Sequence, residues 1–308
     1  MNGILTLAKK EVKVAFKDNI FLIITGLFLI LSIISVYIGA STKNAEMNAY
    51  RDIIQMLKSQ GSSVFPPAPQ IFPLAILQNI IKYVSIIGAV VAIFLGFEAF
   101  SGERDNGTLK IIAVRPIYRD QIITGKLLGG AMVISLLLSI ILLFNLFLFI
   151  LVSGLSPNFN EIGRLISFFF LSFIYMMLFY TATLLVSIKT TDSAFGFMLM
   201  MVIWITVSFV IPQLAESQRS FAYALNSTAQ TVTQIPADTY VSRTIELFSP
   251  TSQFQNVGKD LLQVVESTAN LSVTTILSKQ IASLLNIIIP GLALLVLSYR
   301  AAQKEEVV

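Results

Sequence analysis

Six long apolar runs dominate this sequence and predict a protein of the membrane. They cover residues 20–40, 74–97, 127–153, 163–188, 194–212 and 276–298. Each is long enough to cross the hydrocarbon core, which takes about 20 mostly apolar residues in a helix. The runs are continuous rather than alternating, so helices are favoured over a transmembrane barrel. Because 55% of the residues are hydrophobic and only 12% are charged, we expect an all-α polytopic membrane protein with six transmembrane helices, forming one domain over residues 1–308.

Basic residues set the predicted orientation of these helices. They gather in four places, which are residues 9–17, residues 104–126, Lys189, and the pair Arg300 and Lys304. Cytoplasmic segments carry an excess of Lys and Arg close to the ends of the spans. We therefore predict a cell-membrane protein whose two termini and residues 101–125 face the cytoplasm, with residues 41–73 and 213–275 on the other side.

Residues 1–19 are predicted to form an amphipathic helix. The apolar positions Ile4, Ala8, Val12 and Ala15 recur at helical spacing, and the basic positions Lys9, Lys13 and Lys17 line another face. Such a helix would lie in the membrane interface beside anionic headgroups. A solvated helical tail before the first span is the alternative. The first run begins late and lacks a convincing cleavage site, so we do not expect a cleaved signal peptide.

The two outer segments are predicted to be irregular. Residues 64–69 contain three prolines and cannot be helical throughout. Residues 213–275 are rich in Ser, Thr, Gln and Asn, show a short helical pattern from Val257 to Val265, and break at Pro236 and Pro250. Neither segment has enough apolar residues for a core of its own. Together they could form a small external cap.

Several kinds of chemistry are disfavoured by composition. The chain has no cysteine, which excludes disulfides and thiol catalysis, and no histidine, which removes the commonest metal ligand and general base. The net charge of +4 is small and dispersed, so a nucleic-acid partner is not indicated. We therefore predict no catalytic residue and no metal site in this chain.

The charged segment between the second and third runs is the strongest functional signal. Ser101 can cap a short helix whose first turn holds Glu103 and Asp105, where carboxylates suit the positive helix end. The side chains of Leu109 and Ile112 would form an apolar face, and Pro116 would end the helix. An apolar centre within a charged rim is typical of a docking element. The residues alone leave open a second interpretation, a connector that lies on the headgroups.

The order Glu103, Gly107-Thr108-Leu109, Pro116, Arg119 and Gly125-Lys126 resembles the loop between the second and third spans of ABC type-2 transporter permeases. The similarity extends to the amino-terminal helix with Ala8-Lys9-Lys10-Glu11 and to the six spans. It implies that residues 101–125 form a coupling helix that docks on a separate ATPase subunit. The docking residues implied are Glu103, Arg104, Gly107, Thr108, Leu109, Ile112, Arg115, Pro116 and Arg119.

The resemblance also implies partners and cofactors. Two permease copies, identical or related, would pair in the bilayer above two ATPase subunits, which would bind ATP and Mg. The chain itself has no recognisable nucleotide site. Its Gly125-Lys126 pair fails the phosphate-loop pattern, since Asp120 stands where Gly is needed and Leu127 where Ser or Thr is needed.

Polar residues near or within the spans are functional candidates by default. Glu98 is placed to pair with Arg104 or Lys126, to be solvated, or to act in gating. Lys82, which follows Gln78 and Asn79 near the outer end of the second span, could snorkel outward or face a polar pathway. For Asn145, the most central polar residue of the third span, a hydrogen bond across helices is expected.

The function predicted is the permease subunit of an ATP-binding-cassette exporter. An ion-coupled transporter or channel would be expected to carry acidic residues at mid-membrane, and none is found there. A membrane-embedded enzyme would need groups that the composition disfavours. A non-transporting membrane scaffold stays open.

Overall fold

A computed structural model describes residues 2–17, 19–61, 64–68, 72–102, 104, 119–154, 157–226 and 231–304. Its main helices are α1 (Asn2–Lys17), α2 (Asn19–Ser59), α3 (Pro73–Gly102), α4 (Arg119–Ser153), α5 (Phe159–Lys189) and α6 (Ser193–Ser217). A hairpin of β1 (Ser220–Asn226) and β2 (Thr231–Ala237) follows. The chain continues through α7 (Tyr240–Glu246), α8 (Pro250–Leu261), α9 (Glu266–Ala269), α10 (Val273–Lys279) and α11 (Ile281–Lys304).

The predicted fold class is confirmed. Within the described residues, six helices are long and apolar enough to cross a membrane, and they correspond to the six apolar runs. Helix α2 is longer than its run, because the polar residues 41–59 continue the same helix without a break. Its far end is held where the Tyr50 hydroxyl donates to the Pro66 carbonyl at 3.1 Å.

Two of the spans contain wide π-type turns. In α3 these turns cover Val84–Gly88 and Glu98–Gly102, and in α6 one covers Thr206–Val210. The turn in α6 lies directly before Pro212, whose missing N–H removes the ordinary helical partner of the Ser208 carbonyl. In a wide turn some backbone carbonyls point away from the helix axis. They can therefore accept hydrogen bonds from neighbouring helices.

The centre of the bundle is α5. In its most apolar window 61% of the residues are buried, against 11% for α11 and 22% for α6. Phe168, Tyr175 and Phe179 are each at most 2% exposed. The exposed apolar faces of α6 and α11 suit contact with lipid or with another membrane helix.

The segment after α6 is more structured than its composition suggested. Strands β1 and β2 pair antiparallel from Ser220 opposite Ala237 to Asn226 opposite Thr231. The sequence analysis missed this hairpin, in which Pro236 is tolerated because, among the described residues, neither strand is flanked by a third. An ion pair between Arg219 and Asp238, 2.9 Å apart, closes its base.

Helix α8 packs against the middle of the bundle. Pro250 occupies its first turn and Ser249 caps it by accepting from the Ser252 amide at 3.1 Å. The fully buried Phe254 stacks on Tyr175 with ring centroids 4.5 Å apart. Since Tyr175 lies halfway along α5, α8 packs beside the middle of that helix.

The two ends of the bundle are distinct. Helix α1, Arg104, the α5–α6 turn and the end of α11 share one end, where Thr124 and Tyr299 hydroxyls lie 2.8 Å apart. We call this the amino-terminal end. The opposite end carries the β hairpin and is called the hairpin end. Helix α1 and the carboxyl end of α11 thus belong to the end from which the charged segment departs.

Candidate functional site

The predicted docking residues are only partly described. Residues Glu103, Gly107, Thr108, Leu109, Ile112, Arg115 and Pro116 lie outside the described part of the chain. Arg119 begins α4, and Arg104 lies between the end of α3 and that gap. Their role in docking therefore stays a prediction, and the structure defines where the segment leaves and rejoins the bundle.

Arg104 ties the start of the segment to the turn between α5 and α6. Its guanidinium donates to the Thr190 carbonyl at 2.6 Å, to the Ser187 carbonyl at 3.4 Å and to the Ser193 hydroxyl at 3.2 Å. A cation is favoured here because the carboxyl end of a helix carries partial negative charge. The side chain is half-buried and is engaged within the chain, so Arg104 is fixed to this turn.

Lys126 forms a second junction, at the other side of the segment. Its side chain is 1% exposed, and its ammonium lies 3.5 Å from a carboxylate oxygen of Glu11 and donates to the Ala99 carbonyl. The Tyr180 hydroxyl donates to the Lys126 carbonyl at 2.8 Å. Four helices, α1, α3, α4 and α5, therefore meet at one residue. A buried ammonium needs such partners because its desolvation is costly.

Glu98 lies close to this junction. With Glu11 and Tyr180 it lines a cavity of about 50 Å³ between α1 and the spans. Its carboxylate folds over Gly102, where an added Cβ would lie 2.6 Å from the carboxylate oxygen. The ion pair of Lys126 described here is with Glu11, and the predicted pairing or gating role of Glu98 stays a prediction.

Helix α1 is held by direct contact with α4. Two glycines on one face of α4 allow the approach: a Cβ on Gly125 would lie 2.8 Å from the Leu7 Cβ, and one on Gly129 would lie 2.6 Å from the Glu11 Cβ. Ala8 is fully buried in this contact. Of the predicted apolar positions of α1, Ala8 and Ala15 are buried and Ile4 and Val12 are half-buried, while the lysines at 9, 13 and 17 are exposed. Whether those lysines meet anionic lipid stays a prediction.

The comparison with known families decides to which family the chain belongs. The model of the ABC-2 family transporter protein matches residues 5–307. This chain belongs to the ABC-2 family. It is a multi-pass membrane protein of an ABC transporter family, as the order of residues in the charged segment had suggested.

Two curated relatives of this ABC-2 protein carry the same printed description, probable ABC transporter permease protein NosY. The protein from Stutzerimonas stutzeri is 24% identical over 136 residues, which is 44% of this chain and 41% of the relative. The protein from Pseudomonas aeruginosa is 24% identical over 131 residues, 42% of this chain and 40% of the relative. The chain thus aligns with about two fifths of the length of these relatives.

The glycine contact of the ABC-2 protein provides a test of how α1 is held. Gly129→Val should push α1 away from α4 because the new side chain would overlap Glu11, with an overpacking cost of about 1–3 kcal/mol. The measurement is the reactivity of a cysteine placed at the buried Ala15 toward a thiol reagent, which should rise. Gly26→Val is the matched control, since a Cβ there meets nothing within 4 Å. Equal reactivity in both variants would contradict the contact.

A buried polar cluster joins α8 to three spans of the ABC-2 protein. The Tyr175 hydroxyl donates to the Ser85 carbonyl at 2.7 Å and lies 3.0 Å from the Thr251 hydroxyl. The Thr251 hydroxyl lies 2.8 Å from that of Ser208, and Ser249 donates to the Val207 carbonyl at 2.8 Å. Both acceptor carbonyls belong to the wide turns of α3 and α6. These contacts satisfy the irregular backbone inside the bundle, as a membrane interior requires.

Arg164 organises the hairpin end. Although it stands in the first turns of α5, it is completely buried. Its guanidinium donates to the carbonyls of Asp260 at 3.2 Å, Thr268 at 2.9 Å and Ala269 at 2.7 Å, and also to that of Leu271. One side chain therefore connects α5 to the end of α8, to α9 and to the turn before α10.

Sequence reasoning missed the main anchors of this site. The spacing Gly125-x-x-x-Gly129 is a small-residue pattern that signals close helix packing in membranes. A charge at the start of an apolar run, as at Arg164, signals a buried polar contact.

The expectation for Asn145 is confirmed, since its amide donates to the Ser32 hydroxyl of α2 at 3.0 Å. Among the described residues, no group of Asp and Glu could hold a metal ion.

Proposed function

We propose that this chain is the membrane-spanning permease subunit of an ATP-driven exporter, coupled through residues 101–125 to a separate ATPase subunit that binds ATP and Mg. The observation that carries the proposal is the position of that segment in an ABC-2 family chain. It leaves the bundle at Arg104 and returns at Arg119, and on both sides the adjoining residues are tied to several spans at once.

The contacts of Arg104 and Lys126 support a mechanical route for coupling. A docked ATPase that closes on ATP would displace residues 105–118. Through Arg104 the displacement would reach the turn between α5 and α6, and through Lys126 it would reach α1 and α3. The energy for the change must come from different affinities of the ATPase for two arrangements of the segment.

Exposed apolar helix faces support the pairing of two copies. Both α2 and α6 bury little of their apolar windows within one chain, 28% and 22%. We propose that a second permease copy covers part of this surface and that the substrate passes at or near the contact. No charged residue lies in the central part of the apolar runs, so an apolar or amphipathic substrate is favoured over an inorganic ion.

The orientation of the bundle in the membrane tests the premise of this proposal, which is that residues 101–125 face the cytoplasm. The chain has no cysteine, so single cysteines can be introduced at Ser59, at the far end of α2, and at Asn106, in the charged segment. The basic residues near the span ends predict that Ser59→Cys reacts with an impermeant thiol reagent on intact cells and that Asn106→Cys reacts only after the membrane is opened. Labelling of Asn106→Cys from outside would place the segment beyond the reach of any cytoplasmic ATPase, and the exporter proposal would be wrong.

A further inference from the structure

A polar pocket lies between α3 and α8 towards the hairpin end. Its volume is about 180 Å³, and its polar lining comprises Gln78, Asn79, Lys82, Gln255 and Lys259. The two helices are held together beside the pocket by the packing of Gly258 on Ile81. A Cβ added at Gly258 would lie 3.2 Å from the Ile81 side chain. None of the interactions described for the amino-terminal end involves these side chains.

The pocket is positively charged. Lys82 and Lys259 come from different helices, and both side chains are exposed. No carboxylate lines the pocket, and within the described residues neither lysine forms an ion pair. Two ammonium groups that share one small pocket repel each other, so an anion between them would be favourable.

Amide groups complete the set of donors. The Nδ2 atom of Asn79 is buried and has no hydrogen-bond partner among the described protein atoms. Buried polar groups in folded proteins are normally paired, so an unpaired donor in a pocket wall calls for an acceptor. Gln255 is oriented by its bond to the Ser85 hydroxyl at 3.0 Å, which keeps the α8 side of the pocket in place.

We propose that this pocket binds a phosphate group. Phosphate offers several acceptor oxygens and a charge that two lysines can balance, and lysine is a common phosphate ligand. The same chemistry is available from two sources, the headgroup of an anionic phospholipid and a soluble phosphate. Lys82 lies nine residues after the start of α3, about 14 Å along the helix, which places its long side chain within reach of the headgroup layer.

The test uses the full chain, purified in a non-ionic detergent and freed of lipid. Phosphatidylglycerol binding is counted by native mass spectrometry, and inorganic phosphate binding is followed as a rise in thermal stability against chloride at equal ionic strength. The double variant Lys82→Gln/Lys259→Gln should weaken binding by about tenfold or more, the equivalent of one lost charge-assisted hydrogen bond. Lys58→Gln removes one positive charge from the exposed end of α2 and should change neither measurement.

The variant Asn79→Leu separates a built site from simple attraction of charge. It keeps both lysines, and it should weaken binding because it removes the buried donor. Loss of phosphatidylglycerol alone in the double variant supports the headgroup as the source, and loss of the inorganic phosphate effect supports a soluble ligand. The proposal is overturned if the double variant binds both probes like the wild type, or if Lys58→Gln weakens binding as much as the double variant does.

Discussion

Arg164→Met is expected to release α9 and the turn before α10 from the transmembrane bundle. Methionine has a long side chain that can fill part of the space, but it cannot donate to the carbonyls of Asp260, Thr268 and Ala269. Each of these carbonyls would lose its charged donor and keep only a second, neutral one, and the nearby Asp260 carboxylate would lose the cation that offsets its charge. A hydrogen bond to a charged group contributes about 1.5–3 kcal/mol, so the loss of several at once should lower the stability markedly. The measurement is the thermal unfolding midpoint of the purified protein in detergent.

Two further variants sharpen this test. Arg243→Met makes the same change at an exposed arginine of α7 and should leave the midpoint within the small range of surface substitutions. Arg164→Lys keeps the charge but loses the planar fork that reaches several carbonyls at once, so an intermediate loss is expected. If Arg164→Met and Arg243→Met unfold at the same temperature, Arg164 does not hold this end together.

Leu109→Asp is expected to separate the chain from its ATPase partner. The proposal puts Leu109 in the apolar centre of the docked surface, where an unpaired carboxylate would be buried. The expected loss of docking free energy is about 3 kcal/mol or more, which is more than a hundredfold in affinity. The chain should still insert, because the segment lies outside the apolar runs. The measurement is the amount of co-expressed ATPase that co-purifies with the chain.

Asn106→Asp provides the control for Leu109→Asp. It adds the same charge to the same segment but removes no apolar contact, so the ATPase should still co-purify. An undiminished ATPase yield with Leu109→Asp, at equal expression of the chain, would show that the apolar face of residues 101–125 does not make the contact.

Local patterns in the sequence predicted the helices of this protein well. The six apolar runs predicted the six spans, because a bilayer demands a continuous apolar stretch from each helix that crosses it. The helical spacing of Ala8 and Ala15 predicted the buried face of α1 in the same way. Such patterns do not show which other helix packs against a buried helix face. The contact with Gly125 and Gly129 brings together residues that are far apart in the chain.

The segment after α6 shows a second reason why the sequence does not predict all of the packing. Its composition is polar, which favoured an external position, yet Phe254, Val257 and Leu261 of α8 are fully buried. Polar groups of this region are bonded by the Ser85 hydroxyl in the wide turn of α3, by the Val207 carbonyl in that of α6, and by Arg164 of α5. None of these acceptors and donors is visible in the segment itself, so composition underestimated how deeply it packs.

The sequence by itself determined that this chain is a helical membrane protein, which segments cross the bilayer, and which loop resembles a docking element, since each of these depends on neighbouring residues in the chain. Only the tertiary structure decided that Arg104 is bound to the α5–α6 turn, that Lys126 pairs with Glu11, and that α8 enters the bundle beside Tyr175. The physical reason is that a buried charge or an irregular turn is stable only with partners, and the fold brings those partners from distant parts of the chain.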